Sequence, residues 1–297
     1  MADIRDMQLL TALARHRHFA RAAEECGISQ PAFSARIRNL ETDLGVPIVK
    51  RGNRFLGFTS EGDIVLKWAR RVLSDAEGLR QEIELARGEL SGRLSIGVIP
   101  TALSYVARIP AVLRTRHPGL SIQIYSLTTG QIHRGLGDFS LDAGIGYLEG
   151  DLPAALGQPE LLYQERYVLL SPAELLPTLS GPITWAEAID LPLCLLTLDM
   201  RNRRFLDEVF ATHVGRVPKP VMETNDLSVL LTQVESGASA TIAPAMLADT
   251  LPPSDTTIRL PMTGPEITTP IGLLLTDRDP LPPKILALDE ALRHAAR

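Results

Sequence analysis

The sequence predicts an N-terminal winged helix-turn-helix, a long dimerisation helix, and then an α/β domain. Three observations predict it. A glycine-serine break in "GISQPAFSARIRNLE" (27–41) separates two helical segments; an unbroken amphipathic stripe fills 61–88; and beyond "GELSGR" apolar strands alternate with helices. At 297 residues the chain also exceeds one typical core, which argues for about two domains.

The first helix follows from Ile4, Met7, Leu10 and Ala14, which recur at helical spacing, and a short second helix runs through Ala20, Ala22 and Ala23 to Cys26. Gly27 is suited to the left-handed conformation that ends a helix, and Ile28 to packing back into the core. Ser29 then stands as an N-cap, with Pro31 in the first turn, where its missing N–H costs nothing. In the third helix Phe33, Ile37, Leu40 and Leu44 share an apolar face, while Pro31, Ser34, Ala35 and Arg38, with Gln30 beside them, share a polar one. Gln30 and Arg38 carry donors suited to major-groove readout, and Ser34 suits a base or a phosphate. An ordinary three-helix bundle with a solvated polar face has the same pattern.

The next segment, "VPIVKRGNRFLGFTSEG", reads as strand, basic turn, strand and a helix capped by Thr59 or Ser60. In a wing of this kind Lys50, Arg51 and Arg54 lie along the phosphate backbone. From Glu61 to Gly88 one long helix is expected, with Ile64, Trp68, Val72, Ala76, Leu79, Ile83 and Ala86 spaced by three and four. So narrow and long a stripe calls for a partner helix, and a dimerisation seam at Ile64, Trp68, Val72, Leu79 and Ile83 is the expectation. A glycine-bounded hinge, Gly88 to Arg93, follows.

Past the hinge the expected order is strand 93–100, helix 101–117, strand "LSIQIYSL", helix 132–137, strand "LDAGIGYL" and strand 166–172, in a largely parallel α/β arrangement. "GIG" at 144–146 lacks the third glycine of a dinucleotide fingerprint.

Composition excludes several classes. With 45% hydrophobic and 22% charged residues and a mean hydropathy near zero, the chain is suited to packed cores. No apolar run approaches a membrane span, and the N-terminus lacks a signal-peptide pattern, so a cytoplasmic location is expected. Cys26 and Cys194 stand far apart with no metal-ligand spacing, so no metal, disulfide or cofactor is expected. His16 and His18 are read as facing solvent or phosphate. The net charge of −5 divides unevenly: residues 1–60 hold nine Lys+Arg against six Asp+Glu (net +3), the remainder 21 against 29 (net −8), a basic module on an acidic one.

The stretch from Met7 to Gly62 resembles the N-terminal domain of the LysR-type transcriptional regulators, fitting at Phe19, Ala22, Ala23, Ser29, Gln30, Ser34, Ile37, Leu40, Glu41, Leu44, Gly45, Arg51, Thr59 and Gly62. "RHRHF" departs from the usual glycine-serine-aromatic entry, and "IVKR" from the usual leucine-phenylalanine strand ending. Fewer landmarks, "LDAGIG" and "VESGASATIAP" among them, make 91–297 similar to the family's effector domain, whose two lobes resemble periplasmic solute-binding proteins. The resemblance implies a DNA-binding domain at 1–60, a linker helix at 61–90, lobe I at about 91–160 and 269–297, and lobe II at about 161–268. It implies a double-stranded operator read by Ser29, Gln30, Pro31, Ser34, Arg36 and Arg38, a homodimer assembling into a tetramer, and RNA polymerase as a contact of the bound regulator.

It also implies a small effector, of unknown identity, between the lobes. Candidates at strand ends and helix starts are Thr101, Ser104, Thr128, Thr129 and Tyr147 from lobe I, and Thr197, Arg201, Asn202, Thr224 and Asn225 from lobe II. Hydroxyls with an arginine, and Thr101 at a helix N-terminus, suit a small anion or carboxylate. The competing readings are hydroxyls that only cap helices, and a regulator that acts by DNA binding without an effector. No nucleophile elbow, P-loop, HExxH or triad spacing is present, so no enzyme is expected.

Overall fold

The computed structural model describes residues 3–50, 55–150, 152–176, 181–252 and 254–295. The N-terminal unit packs α1 (Ile4–His16), α2 (Phe19–Glu25) and α3 (Gln30–Leu44) around Leu9, Leu10, Leu13, Phe33, Ile37 and Leu40. The buried face of α1 is Leu9, Leu10, Ala12 and Leu13 rather than the Ile4-centred stripe, and Ile4 is exposed. Leu44, expected in the core, is also exposed, at the last position of α3 before the helix ends at Gly45. Ala22 and Ala23 are fully buried, small enough to let α2 lie close to its neighbours. Gly27 takes φ +66°, and the Ile28 N–H returns to the Ala23 carbonyl, closing the turn before α3.

The two expected wing strands reduce, among the described residues, to one antiparallel bridge between Val49 and Phe58. Its anchor is the buried Glu41 carboxylate, which accepts from the N–H groups of Ile48 at 2.7 Å and Val49 at 3.1 Å. Arg51 and Arg54 lie outside the described residues.

The long helix is α4 (Ser60–Leu85), capped by the Thr59 hydroxyl on the Gly62 N–H at 2.9 Å. Its first turns enter the N-terminal core through Leu66 and Ala69, and its last turns bury Gly78 and Gln81 against the following domain. Gln81 donates to the Ser91 carbonyl at 3.0 Å, so the glycine-bounded segment is fastened and its end already forms strand. Ile64, Trp68, Leu79 and Ile83 remain exposed, and Val72 is half-buried.

Lobe I is built from β1 (Ser91–Val98), α5 (Leu103–Val106), α6 (Ile109–Arg116), β2 (Gly119–Ser126), α7 (Thr129–Gly137) and β3 (Ala143–Tyr147). The expected single helix over 101–117 is broken into a 3-10 turn at Pro100–Ala102 and two α segments. Pro110 has no N–H to give to the turn before it. The chain crosses to lobe II on β4 (Glu160–Pro172). Lobe II then adds β5 (Ile183–Thr184), α8 (Trp185–Ala188), β6 (Cys194–Leu196), α9 (Arg201–Val214), β7 (Met222–Thr224), α10 (Leu227–Glu235), β8 (Thr241–Pro244), α11 (Ala245–Ala248) and β9 (Thr257–Thr263). The return is β10 (Thr268–Leu274), and α12 (Pro283–Ala295) packs back on lobe I against α6 and β1. There Lys284, nearly buried, meets Asp142 at 2.7 Å and donates to the Arg93 carbonyl at 2.9 Å.

The sheets are mixed rather than largely parallel. β2, β1 and β3 run parallel, but β10 is antiparallel to both β3 and β4, and β4 is antiparallel to β8 and β9. The reason is the double crossing: one strand leaves lobe I and another returns, so the pair must run in opposite senses. Each lobe keeps its own core, one around Ile96, Val98, Ile145 and Leu288, the other around Leu169, Trp185, Phe210 and Ile242.

A Cβ on Gly62 would stand 2.1 Å from the Ile48 carbonyl oxygen, a backbone atom held by the wing bridge. Gly62→Ala is therefore expected to cost about 1–3 kcal/mol, as overpacking does; unchanged urea denaturation would show that helix and wing separate freely.

Candidate functional site

The first candidate is the exposed end of α3. Ser29 caps the helix, its hydroxyl accepting from the Ala32 N–H at 3.4 Å, and Gln30, Pro31 and Arg38 are exposed, with Ser34 half-buried beside them. Lys50 is exposed at the start of the wing. Arg36 departs from this set. Its guanidinium lies 2.9 Å from Asp3 and 2.8 Å from Asp6 at the start of α1, so it ties two helices together instead of facing outward. The histidines are also structural: His16 pairs with Glu25, whose carboxyl is held below its ordinary range despite burial by His16 and Arg15, and His18 caps α2.

The second candidate is a cleft of about 250 Å³ between the lobes. Five predicted residues line it, Thr101, Thr128, Thr129 and Tyr147 from lobe I and Arg201 from lobe II, and Asn202 is a sixth. Ser104, Thr197, Thr224 and Asn225 do not contribute to the lining; Thr224 instead accepts from the Asp226 N–H. Sequence reading missed Gly130, Asp199, Met200 and Arg204, which also line the cleft. "MRNRRF" offered a signal for Arg204, since it follows Arg201 by three residues and so shares its helical face.

Helix polarity differs from expectation. Thr101 sits in a 3-10 turn and is only 2% exposed, so it brings a hydroxyl rather than a helix dipole; that hydroxyl lies 3.3 Å from the Tyr147 hydroxyl. Two longer helices do begin at the cleft, α7 and α9. Thr128 spends its side chain on α7, capping Gln131. α9 has Met200 at its cap position and receives no side-chain cap, which leaves its positive end open to the cleft. The Arg201 guanidinium lies 5.0 Å from the centre of the Tyr147 ring and only loosely, at 3.9 Å, from Glu149.

Around this cleft buried polar atoms lack protein partners: Thr129 Oγ1, His133 Nε2 and Asn202 Nδ2 on or beside the wall, with Glu165 Oε2 and Tyr163 Oη behind it. Burying such atoms unpaired is costly, so water or a polar ligand is their natural partner. Burial and then Arg201 push His133 below its ordinary range, so it is neutral near pH 7. Burial pushes Tyr147 and Tyr163 up, keeping both phenols protonated.

α7 also reaches the linker helix. Just past its end, Asp138 pairs with Arg70 of α4, and Phe139 lies between Arg71 and Arg278, the latter donating to Ser74 of α4.

Residues 4–63 match the family model described as a bacterial regulatory helix-turn-helix protein of the lysR family, and residues 87–297 match the LysR substrate binding domain. The chain is 31% identical over 299 residues to the DNA-binding transcriptional dual regulator OxyR of Escherichia coli K12, covering 98% of this chain and 95% of that one. Among solved structures, a cysteine-to-aspartate variant of full-length OxyR from Pseudomonas aeruginosa superposes with a TM-score of 0.80 at 25% identity, covering 99% and 95% of the two chains. Full-length CbnR complexed with its target DNA shares the fold, with a TM-score of 0.70 at 21% identity over 99% and 100%.

The two arginines of α3 are expected to separate by experiment. Arg38→Ala should weaken duplex binding in gel shifts while leaving the melting temperature unchanged, and Arg36→Ala should lower the melting temperature through the lost contacts to α1. The reverse pattern would mean that the reading face is misassigned.

Proposed function

The chain belongs to the LysR-type transcriptional regulators, and from that premise we propose that its inter-lobe cleft takes a small anion or carboxylate whose binding alters how the dimer holds its operator. The chain is a DNA-binding regulator, not an enzyme. The observation that carries the ligand reading is the uncapped N-terminus of α9, with Arg201 and Arg204, facing the Thr101 and Tyr147 hydroxyls across the cleft. Backbone N–H groups, a helix dipole and guanidinium donors together favour negative charge. An anion that touches both lobes binds the closed cleft better than the open one and shifts the population by that difference. A cleft lined by unpartnered polar atoms favours this reading over a regulator that works by DNA binding alone.

Several relatives carry the name hydrogen peroxide-inducible genes activator. For this chain a thiol switch has little support. Peroxide attacks thiolates that are exposed and of low pKa. Cys194 is fully buried in β6 and Cys26 is half-buried at the end of α2, burial pushes both thiols up, and neither lines the cleft.

On the DNA side, Gln30 and Ser34 read base edges while Lys50 and the wing follow phosphates, and two copies place their α3 helices in successive major grooves. The exposed stripe of α4 joins the copies, and a DNA-binding role supports a cytoplasmic location. Trp68 is 57% exposed on that stripe.

Two outcomes are expected. Calorimetric titration with a panel of organic acids, inorganic anions and neutral analogues should give binding to an anion that Arg201→Ala abolishes while operator affinity in the absence of ligand is kept; binding of neutral compounds alone would refute the ligand class. Trp68→Glu should shift light scattering toward monomer and weaken operator binding, since a charge buried in an apolar seam carries an effective penalty of several kcal/mol; an intact dimer would remove α4 from the interface.

A further inference from the structure

Behind the cleft wall lies a carboxyl group that the ligand reading does not use. Glu165 is 1% exposed, on β4 where that strand pairs with β10, and its register partner is Thr269. Tyr167 donates to Glu165 Oε1 at 3.1 Å and is itself 3.1 Å from the Thr269 hydroxyl. Oε2 is buried with no partner, and Glu165 takes part in no ion pair among the described residues. The Thr101 hydroxyl lies 3.3 Å from that of Tyr147, and Thr101 beside Glu165, like Asn202 beside Tyr147, is close enough to favour the ionised form of its neighbour without forming a hydrogen bond to it. A chain of polar groups therefore runs from both crossing strands, through the floor of the cleft, to the first turn of α9.

We propose that Glu165 is a proton-linked positioning residue of the anion site, neutral when the anion is bound and ionised when the cleft holds no anion at raised pH. The proposal rests on the anion reading of the cleft. When ionised, the carboxylate draws the Thr101 hydroxyl proton toward itself, so Thr101 no longer donates into the cleft, and its charge opposes that of the ligand. When neutral, it needs nothing from Thr101, whose hydroxyl then turns to the anion. Binding at raised pH accordingly takes one proton from solvent to form the Glu165 O–H bond, and release returns it.

Among the groups that face it, this carboxyl is the acid that burial raises toward neutrality. Tyr147, Tyr163 and Tyr167 face it, and all three phenols are pushed upward, chiefly by burial and next by Glu165 itself. Thr101 and Thr269 do not titrate, the Arg201 guanidinium lies over the Tyr147 ring, and His133 is pushed downward. Burial raises Glu165 itself to about 7, against the smaller opposing effects of Tyr167 and Thr101. The sign follows: with a folded value above the unfolded one, neutral Glu165 favours the folded state at low pH, and that contribution is lost as pH rises through about 7.

Sulfate, a dianion throughout this range, is the probe, titrated by calorimetry into full-length protein at about pH 6 and about pH 8, with Arg201→Ala identifying the cleft component. Wild-type affinity is expected to fall about tenfold between the two, and Glu165→Gln, a neutral isostere, is expected to bind at both with the wild-type affinity of about pH 6. Thermal melts should show the same separation without ligand, the advantage of Glu165→Gln over wild type growing as pH rises. A flat wild-type profile, or an equal slope in a folded Glu165→Gln, would overturn the role of Glu165 and leave the anion cleft standing. No Arg201-dependent sulfate binding at about pH 6 would overturn the anion reading and this inference together.

Discussion

The antiparallel ladder between β4 and β10 is where the two lobes become one domain. Lobe II lies between these strands in the sequence, so they are its covalent connections to lobe I, and their pairing from Thr268–Arg166 to Leu273–Glu160 sets how the lobes face each other. The cleft exists because β3 ends at Tyr147 on one side of this ladder and α9 begins at Arg201 on the other. A register shift falls between Ile271 and Gly272, where a Cβ would stand 2.4 Å from the Glu160 carbonyl, so the ladder tolerates only glycine's outline there. Backbone hydrogen bonds of this kind are inexpensive to bend and costly to leave unmade, which suits a segment that must stay paired while the lobes change angle.

A different economy governs the N-terminal unit. It is too small to bury much apolar surface, and it gains order from close approach and from capping. Alanines bring α2 onto its neighbours, Gly62 lets α4 touch the wing backbone, and one buried carboxylate, Glu41, satisfies two wing N–H groups. Phe19, Phe33, Phe55 and Phe58 meet edge to face beneath the wing. With these contacts fixed, the outer face of α3 is left to exposed polar side chains.

α4 serves two units at once, its early turns in the N-terminal core and its later turns against lobe I. α7 has one end in the cleft and the other at Asp138 and Phe139, against α4. The distance from the cleft to the linker helix is thus spanned by one helix of nine residues, about 13 Å at the standard rise. The geometry gives a displacement at the cleft a short, stiff route to the helix that carries the DNA-binding unit.

The helix-turn-helix, its caps at Ser29 and Thr59, the turn at Gly27 and the exposed stripe of α4 were determined by the sequence alone, because each is a local preference, settled within a few residues. Cleft residues that begin helices, Thr128 and Arg201, were legible for the same reason. Tertiary structure decided what depends on distant partners. Arg36 and Arg38 are two residues apart on one helix, yet Asp3 and Asp6, some thirty residues away, claim the first and leave the second exposed. Pro110 broke the helix after Thr101, and the double crossing turned an expected parallel sheet into a mixed one. Glu165 is an unremarkable glutamate in "LLYQERYVLL"; its lack of solvent, and of a cation partner among the described residues, arises only where β4, β10 and the Thr101 turn converge, and desolvation is a property of that convergence and not of any stretch of chain.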